Sequence, residues 1–188
     1  MKRRDFVRTT VAASALAATG AEAIAAESLD APSSASIREP FSVDFAPHFG
    51  MFRHHGGGDL MGELRFMADQ GFRSLEDNEM RNRPVAEQEQ IATEMSRLGM
   101  RMGVFVAHTI HWTEPNMASG NADKRAEFLE EIRASVEVAK RSNAKWMTVV
   151  PGHVDLRLHP DYPTDNVVET LKQASAILEP HDIIMVLE

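Results

Sequence analysis

Short apolar runs alternate with amphipathic stretches along this chain, and that alternation limits its fold more than any other feature. Residues 41–46 (FSVDFA) alternate apolar and polar side chains, the period-2 pattern of a strand. Leu60, Leu64 and Met67 then recur at helical spacing, and Gly71 closes that helix in the left-handed stop position. Residues 72–76 read as a second strand. Pro84 opens a second helix at its favoured first position, with Ile91, Met95 and Leu98 as its buried stripe and Gly99 as its terminator. Residues 100–107 (MRMGVFVA) suit a strand buried on both faces. Ala122, Ala126, Leu129, Ile132, Val136 and Ala139 mark a third helix, followed by a fourth strand over residues 146–150. Val167, Leu171, Ala174 and Leu178 mark a fourth helix, and residues 183–187 (IIMVL) a fifth strand.

The order is therefore βαβαβαβαβ, which implies a parallel sheet with right-handed crossovers. An open doubly wound sheet and a (β/α)8 TIM barrel both fit this order. The chain stops on Glu188 directly after an apolar strand with no helix to cover it. That favours an α/β TIM barrel of which residues 41–188 carry only the first five strands and four helices. A full barrel needs about 250 residues, so the expectation is an N-terminal fragment of a protein of roughly 280–300 residues, inactive by itself.

The first 26 residues read differently. Lys2, Arg3, Arg4 and Arg8 precede a small-residue apolar run, and Ala21, Ala23, Ala25 and Ala26 offer cleavage sites. This is the layout of a secretory signal, and the run is too short for a membrane span of about 20 residues. Arg3-Arg4 with Phe6, Val7 and Arg8 resembles the twin-arginine export pattern, with Lys2 where Ser or Thr is usual, so a periplasmic or exported protein is expected. Residues 27–40, rich in Ser, Ala and Pro, read as a linker. Removing residues 1–26 takes away four basic residues and two acidic ones (Asp5, Glu22), so the net charge of −8 becomes −10. Such a surface repels phosphate backbones and excludes nucleic acid as a partner. With no cysteine there is no thiolate metal site and no Cys nucleophile. The pattern leaves a homo-oligomer open.

In parallel α/β folds the active site gathers at the C-terminal strand ends. There stand His48 after the first strand, Glu76 after the second, His108 after the third, His153 after the fourth and Glu188 at the end of the fifth. Imidazoles and carboxylates together are ligands for a divalent cation such as Mn, Mg, Co or Zn. Each has a bland alternative: a frayed carboxylate at Glu188, a loop cap at Glu76, and hydrogen-bonded rim histidines at His108 and His153. Asp77 and Glu79 read as solvated. His54-His55 before Gly56-Gly57-Gly58 reads as a mobile loop, since it lacks the Lys-Ser/Thr ending of a phosphate-binding loop.

Residues 178–188 (LEPHDIIMVLE) resemble the segment of xylose-isomerase-like TIM barrels, nearest the hydroxypyruvate isomerases, in which strand five ends in a metal-binding Glu. Residues 71–76 (GFRSLE) are similar to that family's second strand, and Val150-Pro151-Gly152 to the end of its fourth. The resemblance implies a metal-dependent aldose–ketose isomerisation, first hydroxypyruvate to tartronate semialdehyde. In it Glu188 would be both metal ligand and catalytic proton carrier; His48, Glu76, His108 and His153, from their places at the strand ends, are expected to bind substrate. The family's other ligands come from strands six to eight. A sugar epimerase, an inosose-type dehydratase and a non-catalytic exported binding protein are the alternatives on the same scaffold.

Overall fold

The computed structural model describes residues 38–188; residues 1–26 and most of the linker lie outside the described residues. Helices α1 (Leu60–Asp69), α2 (Val85–Arg97), α3 (Ala122–Ser142) and α4 (Asp161–Leu178) alternate with strands β1 (Ser74–Leu75), β2 (Arg101–Met102), β3 (Trp146–Val149) and β4 (Ile184–Leu187). Among the described residues no helix is long and apolar enough to cross a membrane.

The helix ends follow local chemistry. Asp59 caps α1 by accepting from the Gly62 N–H, and Asn121 caps α3 by accepting from Asp123 and Lys124. At the end of α1, Gly71 takes φ +97°, its N–H reaching the Ala68 carbonyl and that of Phe72 reaching Met67. A Cβ on Gly71 would stand 2.7 Å from the Glu39 carbonyl oxygen, so only glycine fits. Gly99 ends α2 in the same way. Pro84 stands one position earlier than expected: it is the N-cap of α2, in extended geometry, its carbonyl accepting from Gln88. α4 begins at Asp161, well ahead of its apolar stripe.

All pairings are parallel and join neighbours in sequence, β1 with β2 and β3 with β4. Isolated bridges His48–Glu76 and Val106–Thr148 connect the remaining segments in the same order. A doubly wound sheet would reverse its strand order at a switch point, and none occurs among the described residues. Sequential order with right-handed crossovers puts every helix on one face. Accordingly α1 packs on α2, α2 on α3 and α3 on α4. The expected architecture, a partial TIM barrel, is what forms. Its core lies between this helical layer and the strands, where Leu64, Leu75, Ile91, Met102, Ile132 and Met147 are fully buried.

Two strand expectations need correction. Residues 41–46 are not a strand: Phe41, Val43 and Phe45 are about half exposed, and the first ladder contact comes only at His48. Pro47 contributes a carbonyl to the Glu76 N–H but has no N–H of its own to extend the ladder. Residues 100–107 are not one continuous strand either. The Gly103 N–H meets the Leu75 carbonyl, but that of Asp77 meets Val104 where a regular ladder would offer Gly103. The extra residue is a bulge, and it flips the faces beyond it. Arg101, before it, lies over the Trp146 ring on the face away from the helices, whereas Phe105 and Ala107, after it, are buried in the core.

Helices α1 and α2 are also joined by charge. Glu94 on α2 accepts from Arg65 Nε of α1 (2.7 Å) and from Arg97 Nε and Nη2 (both 2.8 Å). The Arg97 bonds chiefly, against the opposing cost of burial, hold its carboxyl at about 2, below its ordinary 4.5. A lowered folded-state value stabilises the fold above pH 4.5, and that contribution is lost as pH falls toward 2. Both guanidiniums are more than half exposed, so water screens the pairs. Glu94→Gln should therefore lower the unfolding free energy at pH 7 by about 1–2 kcal/mol. Urea melts of the two proteins should converge between pH 4.5 and 2; a gap that persists at the acid end would overturn this assignment.

Candidate active site

His48 and Glu76 meet at the C-terminal end of β1. They form a backbone bridge, and His48 Nε2 lies 3.6 Å from Glu76 Oε1, both side chains partly open to solvent. The residues beside them are anchored from below. Asp77 is buried and accepts from Arg83 Nε (2.6 Å) and Nη2 (3.2 Å), while Arg83 Nη1 donates to Glu87 (2.5 Å). The same guanidinium stands 5.2 Å from the centre of the Phe49 ring. Asp77, expected to be solvated, is thus an ion-paired buried carboxylate, because Arg83 repays its desolvation. Nothing periodic in the sequence marks that pair.

The glycine-rich segment after His48 is folded onto α1 through a series of turns. The buried Glu63 accepts the Gly50 N–H through Oε2 at 2.7 Å, and His55 stacks on Phe66. Gly56 lies so close to α1 that a Cβ would stand 2.5 Å from Glu63 Cα. Gly56 serves close backbone approach and Gly57 and Gly58 take positive φ, a reading missed by treating the run as a mobile loop.

His108 is buried at the end of the β2 segment, edge-on to Phe128 of α3. Its Nε2 accepts the Val150 N–H at 3.0 Å, which leaves Nδ1 to carry the proton and donate to the Thr109 carbonyl at 2.8 Å. Both nitrogens are spent on backbone, so as placed the ring pins the ends of β2 and β3 together. Thr109 is fixed in turn by Glu131, through its N–H (3.0 Å) and its hydroxyl (2.7 Å), and Arg81 bonds both the hydroxyl and Glu131.

His153 follows β3 on a turn that Gly152 makes at φ +77°; its N–H donates to the His111 carbonyl at 3.0 Å, joining the loops after β2 and β3. Glu188 stands one step past the Leu187–Val149 pair, its N–H on the Val149 carbonyl, which sets it opposite Val150. Along β4 it shares the face of Ile184 and Val186, whose partners Trp146 and Thr148 lie on the face of Arg101. Its carboxylate therefore sits at the exposed rim of the face turned away from the helices. The structure thus brings His48 to Glu76, sets His108 behind the strand ends as a backbone pin, and leaves His153 and Glu188 on the same rim. Among the described residues no group of three or more His, Asp or Glu is arranged to hold a metal ion, so these residues do not form a metal centre by themselves.

Residues 64–188 match the family model of the xylose isomerase-like TIM barrel. No curated protein sequence matches. Among solved structures, a family 2 AP endonuclease from Brucella melitensis superposes with a TM-score of 0.61 at 17% identity, covering 77% of this chain and 54% of that one. D-psicose 3-epimerase with D-tagatose from Clostridium cellulolyticum H10 gives 0.60 at 12% identity, covering 77% and 52%. An IOLI protein with a binding zinc atom gives 0.56 at 14% identity, covering 76% and 51%. The chain spans about half the length of these structures, and at such identities the likeness is one of fold.

Burial lowers the affinity of His108 for a proton below the ordinary 6.5, outweighing the Thr109 hydrogen bond and Glu131, which pull upward. A histidine kept neutral in the folded state supports stability fully above pH 6.5, and that support is lost as pH falls and the unfolded chain takes up the proton. His108→Gln should cost about 1–3 kcal/mol at pH 7.5 by leaving the Val150 N–H or Thr109 carbonyl unpaired. Between pH 6.5 and 5 the loss in the parent should be steeper than in the variant, as measured by chemical denaturation. Parallel pH profiles would show that the ring is not held neutral.

Proposed function

This chain belongs to the xylose isomerase-like TIM barrel family, and we propose that the protein is a metal-dependent isomerase of a small hydroxy-carbonyl compound, with hydroxypyruvate the first substrate. The observation that carries this reading is Glu188, a carboxylate at the rim end of β4 opposite Val150, on the face of the strands turned away from the helices. In a closed barrel that side faces the axis, where a substrate bound at the strand ends would lie. The acidic chain, at −8 overall, does not suit a nucleic-acid substrate despite the likeness of fold to an endonuclease.

The chemistry asked of these side chains is a proton transfer between adjacent carbons. Glu188 takes the proton from the hydroxyl-bearing carbon, and the C–H electron pair becomes the C=C bond of an enediolate as the carbonyl π pair moves onto its oxygen. The hydroxyl proton passes to that oxygen, and the proton on Glu188 returns to the neighbouring carbon as the new carbonyl forms. His48 and Glu76, paired at the rim, hold the substrate's oxygens, His48 as donor and Glu76 as acceptor. His153 stands on the loop after β3, its N–H on the His111 carbonyl of the loop after β2. A divalent cation would polarise the carbonyl as a Lewis acid. Glu188 would be one of its donors, together with others from elsewhere in the whole protein.

The test is the whole protein incubated with hydroxypyruvate, D-psicose and D-tagatose in deuterated water, with and without a chelator. Turnover with deuterium entering at the reacting carbon, lost on chelation and reduced by about 100-fold or more in Glu188→Gln, is expected. No incorporation with any of the three, or full activity of the variant, would defeat the proposal.

Export belongs to the same reading. Residues 1–26, which carry Arg3 and Arg4, should direct the folded protein to the periplasm. Replacing both arginines by lysine should leave the protein in the cytoplasm on cell fractionation; unchanged export would dismiss the twin-arginine route.

A further inference from the structure

Several features outside the assigned residues carry chemistry. The Arg65–Glu94–Arg97 group only ties two helices together. The hollow beside Phe41, Phe45 and Phe72 lies along the segment before His48, away from the rim. Arg83 differs from both, because its contacts reach the immediate chain neighbours of the two substrate-binding residues at the end of β1.

We propose that Arg83 is the positioning residue of the His48–Glu76 pair. This rests on the reading above that the pair holds substrate oxygens. The side chain of Arg83 is mostly buried and its contacts are divided between two segments. One side grips the Asp77 carboxylate with two nitrogens, and Asp77 directly follows Glu76. Its face covers the ring of Phe49, which directly follows His48. Those two segments meet in only one backbone bridge, His48 with Glu76, supported by the Glu76 N–H on the Pro47 carbonyl. A single bridge leaves both side chains free to pivot, and 3.6 Å between Nε2 and Oε1 is too long for a strong hydrogen bond to hold them. The planar guanidinium supplies the second point of attachment, and Glu87 at the start of α2 fixes the guanidinium itself.

Lysine could balance the charge of Asp77, but it could not at once give two parallel bonds to that carboxylate and a flat face to Phe49. The geometry therefore calls for arginine specifically. A misplacement of about 1 Å in a substrate-positioning pair costs on the order of 100-fold in rate.

Arg83→Lys, Arg83→Gln and Phe49→Leu in the whole protein test this assignment. Phe49→Leu removes the stacked face while leaving the ion pair intact, and covers the case in which Arg83→Gln does not fold. The readouts are the imidazole NMR signals of His48, a thermal melt, and kcat and KM on the substrate that supports turnover. In folded variants, the His48 signals should shift or broaden, and kcat should fall about 10- to 100-fold, with KM changing less. Arg83→Lys should restore the melting temperature more fully than it restores kcat. A folded Arg83→Gln or Phe49→Leu with unchanged His48 signals would overturn the proposal, as would equal rescue of kcat and melting by lysine. If none of the substrates is turned over, the isomerase reading fails, while the His48 signals still decide whether Arg83 holds the pair.

Discussion

Parallel strands can satisfy their backbone groups only across the ladder, and among the described residues every ladder contact joins segments that are neighbours in sequence. With right-handed crossovers, that order leaves no choice about the helices, all of which fall on one side. The strands run parallel beneath them, and each strand ends on the same rim. Glu76, His153 and Glu188 stand at strand ends on one rim because of this order, although more than a hundred residues separate the first from the last.

Apolar burial holds the helical layer but does not set the rim. Strands β1 and β2 have only two residues each, and the segments past them leave the ladder at the bulge near Gly103. The work of alignment passes to buried or half-buried polar groups. His108 ties β2 to β3, Glu131 and Arg81 fix Thr109, and Arg83 joins the loops that begin at His48 and Glu76. Hydrogen bonds suit this role because they are directional, whereas apolar contact tolerates sliding. The cost of desolvating these groups is met only when their partners are in place, so a polar rim is also a specific one.

Much of the architecture could be read from the chain alone because it depends on local periodicity. The stripe Leu129, Ile132, Val136 and Ala139 on α3 is buried as its spacing requires, and Gly71 and Gly99 stop their helices where the left-handed conformation is needed. Strand extents were less legible. Alternation in residues 41–46 is real, but a strand exists only where a partner offers donors and acceptors in register, and that partner cannot be seen locally.

Among the site residues, the strand and helix pattern alone puts Glu76, His108, His153 and Glu188 after apolar runs, and His48 after an alternating segment that does not pair as a strand. Tertiary structure decided how each is used. His108 turned inward because the Val150 N–H, 42 residues away, needed an acceptor, and Asp77 became buried because Arg83 could pair with it. The difference is physical: periodicity is a property of neighbours along the chain, while hydrogen-bond satisfaction and desolvation depend on groups that meet only after the chain has folded.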